Sequence, residues 1–248
     1  DTLKASSLVQ IKGSITSENN VPLNSFQGKA FITVYDKLTE LETLGDESAP
    51  FAYSEWKNVL YNGQVSITDG VFETEFVMPK NIDYSVGEGR ISFYAINDDN
   101  NADAHGADIA VPVGSSTTTT TDTTPPTIAL FINDSTFVDG GTTSENILLV
   151  AHLTDESGIN TSASNVANNI MAEIDGSSSF TLNSYYTADL DNYTSGWLAF
   201  PISDLEPGEH YITLTASDNH NNTSTTTITF RVANKGDLII EEVGNYPN

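Results

Sequence analysis

Residues 114–126 read GSSTTTTTDTTPP, and this stretch decides how the chain is divided. It contains no apolar residue, so nothing in it can drive burial against a hydrophobic core. Threonine and serine favour extended backbone, and Pro125-Pro126 holds the end of the stretch close to polyproline geometry. A polar run of such biased composition is typical of a linker between domains. We therefore predict two modules joined by a Ser/Thr-rich linker over residues 114–124.

The predicted modules cover residues 1–113 and 125–233, each the length of one small domain, and residues 234–248 remain as a tail. Both modules are acidic. The 17 acids and 7 bases of residues 1–113 give −10, and the 14 acids and one base of residues 114–233 give −13, within a total of −25. Because no stock of Lys and Arg is present to release counterions from phosphates, a nucleic-acid partner is not expected.

Two absences from the sequence restrict the function further. The chain contains no cysteine, which excludes disulfides, thiolate metal sites and a cysteine nucleophile within it. No stretch approaches 18 consecutive apolar residues, so no membrane span is predicted. The chain has neither an initiator Met nor a signal peptide and stops in mid-phrase at Tyr246-Pro247-Asn248, so we expect a piece of a longer protein.

Apolar and polar residues alternate along both modules, which is the pattern of half-buried β-strands. In the first module the inward faces are formed by Val9, Ile11 and Ile15, by Ala30, Ile32 and Val34, and by Phe72, Thr74, Phe76 and Met78. Asp69-Gly70 predicts a tight hairpin turn. Residues 38–55 are acidic and without a clear period, and we expect a long loop there.

In the second module the clearest strands are residues 128–132, 147–153 and 225–232, the last with Ile228, Phe230 and Val232 inward. No window in either module shows a convincing helical period. About seven short strands with turns every 8 to 12 residues predict an antiparallel β-sandwich. The expected fold class is therefore all-β, with two immunoglobulin-like or fibronectin-like sandwiches joined by the Thr-rich linker.

One loop carries a candidate metal site. Residues 98–108 hold four acids, and alternate oxygen-bearing residues are the way in which a loop wraps a hard cation such as Ca²⁺. The candidate ligands are Asp99, Asn101, Asp103 and Asp108. The match to an EF-hand loop fails further on, because Ala104 stands where glycine is needed and Ala110 where glutamate is needed. A solvated acidic loop without calcium is the alternative, and no cofactor is required by the sequence.

No catalytic constellation is apparent. His152 lies inside an apolar strand, His210 begins a strand, and His220 lies in a turn rich in Asn. None of them has a serine or aspartate at a spacing that local structure would turn into a nucleophile, a base and an orienting acid. Paired carboxylates need a cleft and unlike environments before they can act as acid and base. We therefore predict that this chain is not itself an enzyme.

Several short sequence motifs, taken together and in order, resemble those of a known family. They are Val34-Tyr35-Asp36-Lys37, Leu60-Tyr61-Asn62-Gly63, Phe76-Val77-Met78-Pro79-Lys80 and Gly89-Arg90-Ile91-Ser92-Phe93-Tyr94-Ala95 in the first module, and Leu130-Phe131-Ile132-Asn133-Asp134, Asp155-Glu156-Ser157-Gly158-Ile159-Asn160 and Tyr185-Tyr186 followed by Asp189-Leu190-Asp191 in the second. In this order they resemble the region that follows the catalytic domain in the PorU family, the gingipain-like cysteine peptidases that serve as sortases of the type IX secretion system of Bacteroidota. The resemblance covers essentially the whole chain. One departure is at Asn168-Asn169-Ile170, where relatives often carry Gly-His-Asp-Ile, so any role of that phrase is not carried over.

The resemblance implies a non-catalytic piece of an enzyme, because the family's catalytic Cys and His lie upstream of the matching region. It further implies that these accessory domains space and orient the catalytic domain relative to a C-terminal sorting domain, whose opening resembles Asn245-Tyr246-Pro247-Asn248. The implied partners are the protein's own catalytic and sorting domains and outer-membrane secretion components. The implied location is the cell surface of a Gram-negative bacterium, with the chain as a monomer.

A second hypothesis is a cell-surface adhesion or carbohydrate-binding module. Its signature would be an aromatic platform open to solvent, and the nearby aromatic residues are Tyr185, Tyr186, Tyr193 and Trp197. Buried rings would favour the spacer instead. An independent hydrolase is a third reading, and the sequence gives it the least support.

Overall fold

The computed structural model describes residues 1–46, 48–116, 122–162 and 166–234, and within these it is built from β-strands with two short 3₁₀ turns and no α-helix. The threonines at 117–121 lie outside the described residues. So does nearly all of the predicted tail, including its resemblance to a sorting domain.

Nine strands precede the threonine run. They are β1 (Leu3–Ala5), β2 (Leu8–Ser14), β3 (Gly28–Tyr35), β4 (Thr39–Glu42), β5 (Ala52–Glu55), β6 (Val59–Ile67), β7 (Val71–Val77), β8 (Gly87–Asn97) and β9 (Asp103–Ser116). A five-stranded sheet has the order β1-β9-β8-β3-β6, and β2 pairs with β7 in a second, two-stranded sheet. All of these pairs are antiparallel except β1 with β9.

Nine further strands follow the run. They are β10 (Thr127–Ile132), β11 (Thr142–Thr143), β12 (Ile147–Thr154), β13 (Met171–Ile174), β14 (Ser178–Thr181), β15 (Tyr186–Asp189), β16 (Asn192–Ile202), β17 (Gly208–Ser217) and β18 (Thr223–Val232), with 3₁₀ turns at Val166–Asn168 and Asn183–Tyr185. They form a four-stranded sheet of order β10-β12-β16-β15 and a five-stranded sheet of order β11-β18-β17-β13-β14.

The cores lie between the facing sheets, where the alternation of the sequence places its apolar residues. Ala30, Ile32 and Val34 of β3 are fully buried while their neighbours in β3 are not. Across the first module, Phe72 of β7 packs against Phe93 of β8 with ring centroids 5.9 Å apart. In the second, Phe180 of β14 packs against Phe200 of β16 at 5.2 Å. The predicted fold class, all-β and made of immunoglobulin-like or fibronectin-like sandwiches, is confirmed.

The turn at Asp69-Gly70 forms as the sequence predicts, but it does not join a hairpin ladder. Both residues have positive φ, 53° and 72°, which a two-residue type I′ turn requires. Only Thr68 and Val71 form a bridge across the turn. Strand β6, which precedes the turn, belongs to the larger sheet, and β7, which follows it, belongs to the smaller one. The turn therefore carries the chain from one layer of the sandwich to the other.

Two sequence expectations need correction. Residues 38–55 are not a loop, because β4 and β5 pair within them as a separate hairpin. No residue of this hairpin is buried, so it lacks the hydrophobic alternation from which strands were predicted. The boundary at residue 113 also falls early. Strand β9 continues to Ser116, where it pairs with Ala5 of β1, so the first three residues of the predicted linker belong to the sheet.

Candidate functional site

The two sandwiches meet along open sheet edges, and this junction is where the polar chemistry of the chain is concentrated. Strand β6 is the outer strand of the first module's large sheet, and β15 is the outer strand of a sheet in the second. Gln64 of β6 forms a parallel bridge with Leu190, and the Asp191 N–H donates to the Gln64 carbonyl at 3.0 Å. Each module thus covers part of the edge that the other would leave unpaired.

Asp191 fastens this contact. Its two carboxylate oxygens accept hydrogen bonds from the backbone N–H of Ser66, at 2.7 Å, and from the Ser66 hydroxyl, at 2.6 Å. Asp191 has φ of 59°, a left-handed conformation that aspartate tolerates better than most residues. The side-chain amides of Asn62 and Gln64 also donate to the carbonyl oxygens of Tyr186 and Ala188, each at 3.4 Å.

A second group of contacts joins the modules at the tips of their turns. The Lys80 N–H donates to the Asn219 carbonyl at 2.8 Å. The Asn160 amide donates to Asn81 at 2.9 Å, and Asn81 in turn donates to Asn168 at 3.4 Å. These bonds, together with the edge contact, join the modules at more than one point.

Apolar packing fills the space between the two groups of hydrogen bonds. Tyr61 and Phe76 of the first module stack with ring centroids 4.2 Å apart, and beside them lie Tyr186 and Ile159 of the second, both buried. Burial raises the pKa of the Tyr186 hydroxyl, and the nearby Asp189 and Tyr61 act in the same direction. The hydroxyl oxygen of Tyr186 is fully buried and has no hydrogen-bond partner among the described residues.

Three carboxylates gather close to the turn-tip contacts. Asp122 follows the threonine run, Asp155 comes directly after β12, and Asp218 comes directly after β17. One oxygen from each lies within 4.8 Å of the others. Asp155 and Asp218 are buried, and the Asp122 side chain is only 7 % exposed.

Local hydrogen bonds hold each carboxylate in place. Asp155 Oδ1 accepts from the backbone N–H and the hydroxyl of Ser157, at 2.8 and 2.7 Å. Asp218 Oδ1 accepts from the N–H groups of His220 and Asn222, at 2.9 and 2.7 Å, while its Oδ2 accepts from the Asn222 amide at 2.6 Å. Such bonds from an aspartate to its own following backbone are turn chemistry, which explains the placement of both acids at strand ends.

Asp122 is tied to the same turn. The Asn222 side-chain amide donates to the Asp122 carbonyl at 3.1 Å, and Asp122 Oδ1 accepts from the Thr124 N–H at 2.8 Å. Its other oxygen, Oδ2, is fully buried and has no hydrogen-bond partner among the described residues. The nearest basic group is His220, whose Nδ1 lies 4.0 Å from that oxygen.

The cluster is electrostatically strained when all three acids are ionised. Two like charges about 4.8 Å apart repel by roughly 3 kcal/mol at an effective dielectric constant of about 20. Burial raises the pKa of Asp155 to about 6, against the hydrogen bonds from Ser157, and the neighbouring carboxylates add to the rise. Burial likewise raises the pKa of Asp218. Burial also acts to raise the pKa of Asp122. The hydrogen bond from the Thr124 N–H and the other polar groups around Asp122 have a larger effect, so the pKa of Asp122 is lowered.

The metal ligands expected from the sequence are not brought together as a set. Asp103 and Asp108 both lie in β9, opposite Ile96 and Ile91 of β8, and five residues of extended strand separate them by roughly 16 Å. They cannot bind one ion, because the stretch expected to curl as a loop is straight. Asn101 accepts a hydrogen bond from Asn97, the last residue of β8, at 2.8 Å. Calcium binding by Asp99, Asn101 and Asp103 alone stays a prediction.

The sequence did contain a signal for the other cluster. Asp155 begins the phrase Asp-Glu-Ser-Gly and Asp218 the phrase Asp-Asn-His-Asn-Asn, and taken alone each phrase indicates only a turn. Their distance along the chain, 33 residues from Asp122 to Asp155 and 63 more to Asp218, hid the fact that they meet. Their proximity follows only from the sandwich topology, which brings the ends of β12 and β17 to the same end of the second module.

The histidines do not complete a catalytic arrangement. His152 lies in β12 against Trp197, with ring centroids 4.5 Å apart, and its Nε2 is 3.4 Å from Asp189. Ser195 donates its hydroxyl to the same Asp189 oxygen. The order is therefore serine, aspartate, histidine, with the acid in the middle, and the histidine cannot take the serine proton directly.

His210 has a structural role on the surface of the second module. Its Nδ1 lies 2.7 Å from a carboxylate oxygen of Asp175 and its Nε2 lies 2.6 Å from the Glu206 carbonyl. Both ring nitrogens thus face acceptors, which suits the doubly protonated ring. Burial alone would lower the pKa of His210, but the Glu206 carbonyl and the Asp175 carboxylate raise it above its ordinary value.

Comparison with solved structures finds one that resembles most of this chain. The crystal structure of dimeric latent PorU from Porphyromonas gingivalis matches 94 % of the chain at 37 % sequence identity, with a TM-score of 0.52. The chain is similar to part of PorU. It spans 22 % of the length of that PorU chain. No family model and no curated protein matches the chain.

Two more distant structures also align with the chain. The fibronectin(III)-like modules of CbhA from Clostridium thermocellum share 12 % identity with a TM-score of 0.28, covering 100 % of this chain and 95 % of theirs. The titin Ig tandem domains A164-A165 share 11 % identity with a TM-score of 0.24, covering 94 % of this chain and 92 % of theirs.

Among the described residues, no helix is long and apolar enough to cross a membrane. The similarity to part of PorU supports an accessory β-sandwich unit.

Proposed function

We propose that this chain is the non-catalytic accessory unit of a PorU-like, gingipain-like peptidase that serves as a type IX secretion sortase. Its two sandwiches space and orient the catalytic domain relative to the C-terminal sorting domain at the cell surface of a Gram-negative bacterium. The partners are then the protein's own flanking domains and outer-membrane secretion components. Support comes from the 37 % identity to part of PorU and from the junction between the sandwiches.

The observation that carries the proposal is the contact between Ser66 and Asp191. Three hydrogen bonds, all within 3.0 Å, connect this short stretch of β6 with Asp191 in the turn between β15 and β16. Because the turn-tip contacts and the Tyr61–Phe76–Tyr186 packing lie elsewhere on the junction, the modules resist rotation about any single point. A spacer needs that property, since a freely jointed pair would not set an orientation.

The test is a distance distribution between the modules. The chain has no cysteine, so Lys29→Cys with Glu209→Cys gives two clean sites for spin labels on exposed strand positions. Double electron–electron resonance should show one narrow distance. Replacing Asp191 by Ala should broaden it, whereas Asp204→Ala, also an exposed aspartate with φ near 60°, should leave it unchanged. A broad distribution in the unaltered junction would rule out a stiff spacer.

A second candidate function rests on Trp197. Its ring is 44 % exposed beside His152, and Tyr185 is 45 % exposed on the same module, whereas Tyr186 is buried. An exposed tryptophan with a polar neighbour can stack on a sugar ring. Chemical-shift titration with oligosaccharides would favour the adhesion or carbohydrate-binding function if Trp197 responds and Trp197→Ala abolishes the response.

A further inference from the structure

The cluster of Asp122, Asp155 and Asp218 is a concentration of buried negative charge without an adequate countercharge. In the described part of the chain no Lys or Arg forms an ion pair with any of the three. Buried carboxylates persist in proteins when they are paired or when they coordinate a metal ion. The nearest basic group in the described residues, His220, lies 4.0 Å from Asp122 and can offset at most one of the three charges, so the arrangement favours a bound cation.

Asp122 gives an independent indication that a ligand belongs here. It comes from a stretch with no apolar residue, yet its side chain is 93 % buried. Its Oδ1 is satisfied by Thr124, while its fully buried Oδ2 has no hydrogen-bond partner in the described residues. One of its carboxylate oxygens lies within 4.8 Å of an oxygen of Asp155 and of Asp218. Burying an unsatisfied carboxylate oxygen is costly, and coordination of a cation would remove the cost.

We propose that Asp122, Asp155 and Asp218 bind one calcium ion. All three donors are hard carboxylate oxygens, the type that Ca²⁺ and Mg²⁺ prefer over softer metals. Three protein carboxylates around one ion suit Ca²⁺ better, because Mg²⁺ usually keeps several waters and takes only one or two carboxylates. This site is distinct from the one that the sequence predicted around Asp99 and Asp103.

The surroundings allow the ion to enter and complete its shell. Asp155 and Glu156 line an open depression of about 630 Å³ together with Thr124 and Thr154. Water from this depression can fill positions that the three carboxylates leave open, and Ca²⁺ takes six to eight oxygen ligands. Asp155 Oδ1 is engaged by Ser157, so its other oxygen is the one left to coordinate.

Calcium at this place would act on the junction. Asp218 immediately precedes Asn219, whose carbonyl accepts the hydrogen bond from Lys80 of the first module. Asp122 belongs to the chain that connects the modules. One ion would therefore fix the connecting segment and the turn at 218–222 together. The inference does not depend on the proposed function, because calcium binding and a spacing role can each fail alone.

The experiment is calorimetric titration of CaCl₂ into the 248-residue chain after removal of metal with EDTA, with thermal melting in parallel. We expect one ion per chain, and a rise in Tm of roughly 5–10 °C when calcium is at a hundred times its Kd. Asp122→Asn and Asp155→Asn should each weaken binding at least tenfold. In EDTA the Asp155→Asn variant should melt no lower than the unaltered chain, because it removes one repelling charge from a buried cluster.

The matched controls are Asp99→Asn and Asp103→Asn, which should bind calcium with unchanged affinity. The proposal is overturned if millimolar calcium gives neither heat nor a Tm shift, or if binding survives in Asp122→Asn and is lost in Asp99→Asn. A shift with MgCl₂ equal to that with CaCl₂ would overturn the choice of calcium. If Asp155→Asn fails to fold, Asp122→Asn decides the matter, since its side chain lies in the connecting segment outside both sheets.

Discussion

Replacing Tyr186 by phenylalanine should stabilise the protein. The Tyr186 side chain is 2 % exposed, and its hydroxyl lies at the packed centre of the junction without a hydrogen-bond partner among the described residues. Burying a hydroxyl without a partner costs about 1–3 kcal/mol. Phenylalanine keeps the ring and its contacts and leaves only a gap the size of one oxygen atom. We expect a net gain of about 1 kcal/mol, or a Tm about 2–4 °C higher.

The measurement is urea unfolding followed by tryptophan fluorescence. The chain has two tryptophans, Trp56 in the first module and Trp197 in the second, so single-tryptophan variants report each module separately. Because Tyr186 packs against Tyr61 across the junction, the Tyr186→Phe change should move the unfolding midpoints of both modules.

Tyr61→Phe is the matched control. Tyr61 is also buried at the junction, but the Thr74 side chain offers its hydroxyl a hydrogen-bond partner, so removal of that hydroxyl should cost about 1 kcal/mol. Opposite signs for the two changes are the diagnostic result. If Tyr186→Phe destabilises the protein as much as Tyr61→Phe, the Tyr186 hydroxyl has a partner and the reasoning is wrong.

Two further substitutions test other parts of the second module. His210→Gln should lower the free energy of unfolding most at pH below 6.5, because the protonated ring is the form that the fold favours. The difference from the unaltered chain should shrink as pH rises through the raised folded-state pKa of His210. A difference that grows with pH in chemical unfolding would contradict this. Gly196→Ala should cost about 1–3 kcal/mol, because the new Cβ would lie 2.5 Å from the Thr187 carbonyl oxygen, a backbone atom that cannot move aside; an unchanged urea midpoint would show that the strands can separate there.

The β-sandwich fold could be predicted from the sequence, because the alternation of apolar and polar residues along a strand is a local signal. Ile228, Phe230 and Val232 are buried as their spacing predicts. The hairpin of β4 and β5 was missed, because a strand pair that buries nothing leaves no alternation to read. Local reasoning about turns succeeded at Asp69-Gly70, where two neighbouring residues determine the backbone.

The candidate site was not predictable in the same way. Acids that are close in sequence, such as Asp103 and Asp108, are kept apart by the extended strand that contains them. Acids far apart in sequence, such as Asp155 and Asp218, meet because β12 and β17 end at the same pole. The junction was hidden for the same reason, since Ser66 and Asp191 are ordinary surface residues until two sheet edges face each other.

The way in which β6 and β15 shield each other has a consequence for assembly. Every copy of the chain carries both edges, so a copy whose junction has opened offers two strands that fit a second opened copy equally well. Two such copies can exchange modules and close into a reciprocal pair that uses the same hydrogen bonds as the single chain. Concentration and the length of the connecting segment then decide between the closed chain and the exchanged dimer, and shortening that segment shifts the balance toward exchange.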